Sequence, residues 1–281
     1  MSAKIAKPES PQRIYRHRLP VRLMHWINVL CLTVLLGSGL NIFNAHPNLY
    51  WGKDSSGKPW LAIGAVASPQ GPSGVTVIAG RQYSTNGVLG AAKDGSTGAW
   101  TAKAFPSWAT IPGPQWLAAA RNWHLFFAWL FVVNGIGYVA YGLFSGHLRR
   151  DLIPSRAELR GIGQSLIDHL RFRHPTGAAA SRYNVLQSLT YLLVIFGLLP
   201  LVVVAGMALS PRLDTLFTGW VDWLGGRQSA RSLHFLAATG LLLFVLVHVF
   251  EVLISGVFNQ LRSMITGYYT LPAEKPPEPM P

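Results

Sequence analysis

Four stretches of this chain, Leu23 to Phe43, Trp123 to Phe144, Tyr183 to Leu209 and Leu233 to Phe258, are apolar over a length that crosses a bilayer. A helix rising 1.5 Å per residue needs roughly 18 to 20 such residues to span the hydrocarbon. Composition agrees: 50% of the 281 residues are hydrophobic and 12% charged, against roughly 25% charged in a soluble domain. The expected fold class is all-α, an integral membrane four-helix bundle.

A net charge of +13 would point to nucleic acid in a soluble protein, but here its placement is more informative. Six Lys and Arg precede the first span, seven arginines lie between the second and third, and two follow the fourth. These 15 of 24 cations fall on one side of the membrane. Positive loops stay inside, so both termini are expected in the cytoplasm and no nucleic-acid partner is expected. The first apolar run is too long for a signal peptide and has no small-residue cleavage site, so it reads as its own insertion signal. Cys31, the single cysteine, excludes an intramolecular disulfide, a Cys-ligated iron-sulfur cluster and covalent haem attachment through a C-x-x-C-H motif.

The organisation read along the chain is a cytoplasmic basic tail at 1–22, a membrane domain at 23–271 and a disordered Pro-rich tail at 272–281. Residues 44–115 form a long outer loop, where a little β-hairpin or irregular structure is expected. Its tryptophans belong either to an interfacial belt or to a partner contact. The cytoplasmic loop 147–182 carries a capping box at Ser155 and Glu158, followed by apolar residues at helical spacing. These predict an amphipathic helix on the membrane surface. Pro200 is expected to kink the third span.

The nine histidines sort by depth. His17, His46, His147, His169 and His174 fall in tails and loops, where a solvated role is ordinary. His25 opens the first span on the inner side and His124 opens the second on the outer side. The fourth span carries His234 outside and His248 inside, 14 residues apart. That separation is nearly four turns, so both rings leave one helix face about 21 Å apart along its axis. Depth therefore pairs His25 with His248 and His124 with His234. Ligating residues inside spans are costly and mark function. Two imidazoles facing across a helix gap suit the axial positions of a haem iron, whereas zinc asks for four protein ligands at one site. Gly39 lies on the face of His25 at the opposite depth, and Gly37 and Gly39 serve either a flat ligand or close helix packing. Glu251 is the one acid inside the spans.

The His25-Trp26 opening of the first helix, Gly37-Ser38-Gly39 at its far end, Arg121-x-x-His124, Tyr183-Asn184-x-x-Gln187 and His234-x13-His248 together resemble a known family. They are similar to the two-haem membrane cytochrome b subunits of bacterial respiratory enzymes: formate dehydrogenase gamma, nickel-iron hydrogenase cytochrome b and thiosulfate reductase cytochrome b. The resemblance runs over residues 13 to 268. It implies a multi-pass protein of the bacterial inner membrane with two b-type haems, the inner held by His25 and His248 and the outer by His124 and His234. It also implies a quinone site beside the inner haem, formed by His248, Asn184 and Gln187. For Asn184 and Gln187 the competing role is helix capping or interhelical hydrogen bonding.

Arg22, Arg121 and Arg231 sit near the histidines, either to hold haem propionates or as interfacial anchors. The long outer loop and the Gly225-to-Arg231 segment resemble a subgroup coupled to periplasmic molybdopterin oxidoreductases. A di-haem electron-transfer subunit between the quinone pool and such a partner is the leading reading, with no catalytic residue of its own. A structural membrane anchor and a standalone di-haem oxidoreductase acting on a small oxidant are the alternatives.

Overall fold

Each apolar stretch is helical. In the computed structural model, which describes residues 12–93, 97–113, 115–171 and 184–271, the long helices are α1 (Leu19–Asn44), α2 (Leu117–Phe144), the stretch Val185–Met207, and α8 (Arg227–Ile254). The tail 272–281, the first eleven residues, and 172–183 with Tyr183 and His174 lie outside the described residues. Only 11% to 33% of the helices' most apolar windows is buried by the protein itself. So much uncovered apolar surface is stable only in contact with lipid. The protein is a membrane protein.

The third long helix is built in three pieces: α5 (Val185–Leu193), a π-helical turn at Val194–Leu198, and α6 (Leu199–Met207), with Pro200 in the first turn of α6. Pro200 lacks the N–H that would bond four residues back, and the wider turn just before it accommodates the loss.

The described chain divides into two compact units. The first comprises residues up to Trp26, Ile136–Phe196 and the chain from Leu243 onward; the second comprises Ile27–Gly135 and Gly197–Leu242. Each long helix therefore contributes one segment to each unit.

In the first unit, β1 (Arg13–Tyr15) pairs antiparallel with β8 (Tyr268–Thr270), Arg13 opposite Thr270. Part of the basic tail is thus a strand. Between α8 and β8 lies α9 (Val257–Thr266), ended by Gly267 at φ +91°. A side chain at Gly267 would strike Tyr15, Arg22 and the His17 carbonyl, and Arg16 N donates to the Gly267 carbonyl at 2.8 Å. Only glycine admits both the left-handed turn and this crossing. The segment between the second and third spans forms α3 (Arg156–Arg160) and α4 (Ile162–Leu170), broken at Gly161, with the Ser155/Glu158 capping box complete.

This packing half-buries His17, which departs from the solvated role expected of it. Burial, followed by the neighbouring Arg16, His25, His147 and Arg22, lowers its pKa from 6.5 to about 4. Between those two values the unfolded chain binds a proton that the folded chain refuses, so this contribution to stability is present above pH 6.5 and lost as pH falls toward 4. The Tm of the detergent-solubilised protein is expected to drop across that window, and His17→Gln to flatten the slope. An equally steep slope in the variant would assign the acid sensitivity to other groups.

The outer loop folds more fully than a single hairpin. In the second unit, β2 (Asn48–Leu49), β3 (Leu61–Ser68), β4 (Gly71–Ile78) and β5 (Arg81–Ser84) form an antiparallel sheet in sequence order, and β6 (Ala91–Lys93) pairs with β7 (Trp100–Ala102). Alternate residues Leu61 and Ile63 of β3 point inward and join Leu49, Ala104 and Phe43, the last from the end of α1. Phe235 of α8 and Trp60 pack on this core. The sheet is therefore seated on two helix ends. Trp60 is half-buried and donates its Nε1 hydrogen bond to Ser232, whereas Trp108 is 88% exposed. The tryptophans thus serve both as packing and as surface.

Candidate functional site

Two pairs of imidazoles stand ring to ring. In the first unit, His25 of α1 and His248 of α8 have ring centroids 6.3 Å apart with planes at 68°. In the second unit, His124 of α2 and His234 of α8 are 6.1 Å apart with planes at 67°. A metal bound by Nε2 of both rings at about 2 Å, with each centroid about 1.2 Å behind its nitrogen, sets the centroids about 6.4 Å apart. Edge-to-face aromatic packing also falls in the range of roughly 4.5–7 Å. The hydrogen bonds behind the rings are therefore the stronger test.

Those bonds are well defined in the second pair. His234 Nδ1 lies 2.8 Å from the Val202 carbonyl, which can only accept, so Nδ1 carries the proton. His124 Nδ1 lies 3.0 Å from Ser38 Oγ. The Ser38 hydroxyl donates to the Val34 carbonyl at 2.6 Å, so its oxygen receives the His124 proton. Both rings then present an unprotonated Nε2, the form a metal binds.

Local sequence makes this geometry possible. A side chain on Gly206 would come within 3.0 Å of His234 Cε1, so its absence lets the ring reach the Val202 carbonyl one turn earlier. A side chain on Gly39 would lie 3.4 Å from His124 Cε1. Gly39 thus seats an imidazole, while Gly37 meets Ile111 of the outer loop, which donates its N–H to the Gly37 carbonyl at 3.1 Å. The two glycines have different jobs.

Aromatic packing positions the first pair. Phe244 stacks on His248 at 5.9 Å and 18°, and Tyr191 borders the same ring at 6.5 Å. Trp26 fixes the start of α1 by donating Nε1 to the Met264 carbonyl at 3.1 Å.

Among the described residues no group of three or more His, Cys, Asp or Glu comes together to hold a metal ion. Two imidazoles per site suit a metal whose other ligands arrive with it, as a porphyrin's four nitrogens do. One further observation fits a group that carries carboxylates: Arg22, one turn from His25, has a buried Nε with no hydrogen-bond partner. The residues present fit haem.

The other arginines differ. Arg231 donates to the His46 carbonyl and lies 5.8 Å above the Phe43 ring, which ties it to the outer loop. Arg121 is exposed. Asn184 caps α5, its Oδ1 accepting from Leu186 N at 3.1 Å and from the Ser165 hydroxyl. Gln187 donates to the Tyr191 hydroxyl at 2.8 Å. Asn184 therefore has a capping role, and Gln187 leads through Tyr191 toward His248.

Sequence reasoning quoted Ser38 only within the Gly-Ser-Gly motif, without a role, and did not pick out Val202, Gly206, Tyr191 or Phe244. Ser38 left the clearest trace, a hydroxyl in an apolar span between two glycines. Ser38→Ala removes one acceptor behind His124 and is expected to weaken retention of a haem held by that pair, by up to the 10- to 100-fold that losing such a supporting bond usually costs. Haem retained after gel filtration checks it, with the first pair as the internal standard.

Known proteins similar to the chain are named as subunits of a reductase and of a hydrogenase. A putative protein-methionine-sulfoxide reductase subunit, YedZ1, of Azospira oryzae is 34% identical over 164 residues, covering 58% of this chain and 78% of the relative. A probable Ni/Fe-hydrogenase B-type cytochrome subunit of Cupriavidus necator is 22% identical over 280 residues, covering 95% and 91%. The family model for prokaryotic cytochrome b561 matches residues 16–267, nearly the whole chain and all four long helices. The chain belongs to the prokaryotic cytochrome b561 family, membrane proteins that bind b-type haem and transfer electrons.

Proposed function

We propose that this chain is a di-haem subunit of the bacterial inner membrane that passes electrons between the quinone pool and a periplasmic redox partner of the molybdopterin oxidoreductase class. Both termini lie in the cytoplasm. His25 and His248 would hold the inner haem, and His124 and His234 the outer one. The observation that carries this reading is the double pair of facing imidazoles, with Nδ1 of both His124 and His234 committed behind the ring. Held by these four histidines, haem would supply reversible one-electron iron chemistry, which suits electron transfer.

The chain's own residues do the rest. Val202 and Ser38 hold the tautomers and ring planes of His234 and His124. Arg22 Nε would take a propionate oxygen. Arg121 and Arg231 would serve the outer haem in the same way, Arg231 after release from the His46 carbonyl. The quinone would sit against His248, with Gln187 and the Nδ2 donor of Asn184 reaching its carbonyl oxygens and Tyr191 between them. Protons would be exchanged there with the cytoplasm. The names of the two relatives, a reductase subunit and a hydrogenase subunit, support a redox-enzyme partner over a lone oxidoreductase.

A reduced-minus-oxidised spectrum of the purified full chain, with haem quantified, is expected to give two b-type haems per chain, both reduced by quinol. Absence of b-type bands would leave only the anchor reading. Full turnover on a small oxidant without any co-purifying enzyme would favour the standalone one.

A further inference from the structure

Helix α9 is turned the wrong way round for water. Three of its polar side chains face the protein: Asn259 bonds both the carbonyl and the N–H of Thr270, at 2.8 and 3.1 Å, Arg262 donates to Asn259 at 2.8 Å and to Thr270, and Ser263 is fully buried. Phe258, Leu261 and Ile265, spaced i, i+3, i+7, form the outward stripe and are 85%, 41% and 62% exposed. A surface helix in water shows the opposite arrangement. Beside the stripe lies a hollow of about 300 Å³ lined by Arg13, Arg262, Thr266 and Tyr268. Arg262 and Thr266 follow Leu261 and Ile265 by one residue each, about 100° round the helix, so hollow and stripe share a border. Strand β1 delivers Arg13 to the same place, opposite Thr270.

The hollow has charge to spare. Among the described residues neither Arg13 nor Arg262 is paired with an acid, and Arg262 Nε is buried without a partner. Two guanidinium groups in one recess match a phosphodiester, which they recognise by charge-assisted hydrogen bonds. A zwitterionic lipid brings its own ammonium to that phosphate and gains less. An anionic headgroup with an acyl chain attached satisfies both halves of the surface at once.

We propose that Arg13, Arg262, Thr266 and Tyr268 bind the phosphate of an anionic phospholipid whose acyl chain lies along Phe258, Leu261 and Ile265. The site locks strands β1 and β8 and helix α9 onto the membrane, and it uses none of the four paired histidines.

Native mass spectrometry of the full chain, released from nanodiscs holding equal phosphatidylglycerol and phosphatidylcholine, tests it. The unaltered protein is expected to retain phosphatidylglycerol over phosphatidylcholine by about tenfold, the discrimination of roughly one charge-assisted contact. Arg13→Gln, which removes an exposed side chain that makes no bond among the described residues, should cut that ratio several-fold, and Arg13→Gln with Arg262→Gln should bring it to about one. Unaltered haem content reports intact folding in both variants. Equal retention of the two lipids by the unaltered protein, or a ratio that Arg13→Gln leaves unchanged, would overturn the site. Displacement of phosphatidylglycerol by millimolar inorganic phosphate would show a free-anion site instead and overturn the lipid assignment.

Discussion

Replacing His248 by alanine is expected to leave one haem per chain instead of two, and His25→Ala to remove the same one. His124→Ala and His234→Ala should both remove the other. Each pair offers two imidazoles about 6 Å apart, so losing either ring would leave a bound haem with one of its two protein ligands, and retention should fall steeply. Haem-to-protein ratios and potentiometric titrations check this: two redox waves in the unaltered protein and one in each variant. The identity of the surviving wave is the sharper readout. If His25→Ala and His248→Ala spared different waves, the pairing would be wrong. On the function proposed above, quinol-driven electron delivery to a periplasmic acceptor should fall to background in all four variants, since a break at either pair would stop the proposed path.

Gly206→Leu is expected to do nearly as much damage as His234→Ala without touching a ligand. A Cβ at position 206 already sits 3.0 Å from His234 Cε1 and 3.1 Å from Nδ1, closer than ordinary van der Waals contact. A leucine occupies the space of the ring and forces it off the Val202 carbonyl, which frees the tautomer and the ring plane together. In a membrane helix the change otherwise adds only apolar surface, so insertion should be undisturbed. Gly206→Ala should give an intermediate loss of about tenfold in haem retention. Gly240→Ala is the control, because its Cβ would meet only the flexible end of Leu198 at 3.4 Å. Loss of the first pair's haem in Gly206→Leu, or full retention of both, would contradict this account.

Much of the architecture was legible because lipid permits few solutions. A chain in hydrocarbon must satisfy its backbone internally, so an apolar run of span length is a helix, and the four runs are helices. Helical periodicity and depth then selected the histidines that stand together, since a 14-residue spacing returns to the same face. The outer loop was less legible. Its strands depend on contacts such as Leu61 and Ile63 with Phe43 and Phe235, residues distant in sequence that no local periodicity joins.

The segment Gly225 to Arg231 illustrates the same limit. As a string it suggested a partner class. In the structure it docks the outer loop: Gln228 N and Ser229 N both donate to the Gly52 carbonyl at 3.1 Å, Ser229 Oγ accepts from Gly52 N at 2.8 Å, and Arg231 reaches the His46 carbonyl. A side chain on Gly226, at φ +95°, would strike Lys53. The glycine marks a crossing of two chain segments, which a one-dimensional pattern does not record.

By itself the sequence determined the membrane class, the four helices and the histidines worth pairing, because hydropathy and helical period are properties of neighbouring residues. Tertiary structure alone decided which groups stand behind the rings. Ser38 and Val202 commit the Nδ1 protons, Gly206 and Gly39 open the space, and Arg22 keeps a buried donor unpaired. Tautomer, ring plane and unspent hydrogen bonds depend on what the next helix presents at a distance of about 3 Å, and that is set only when the helices pack.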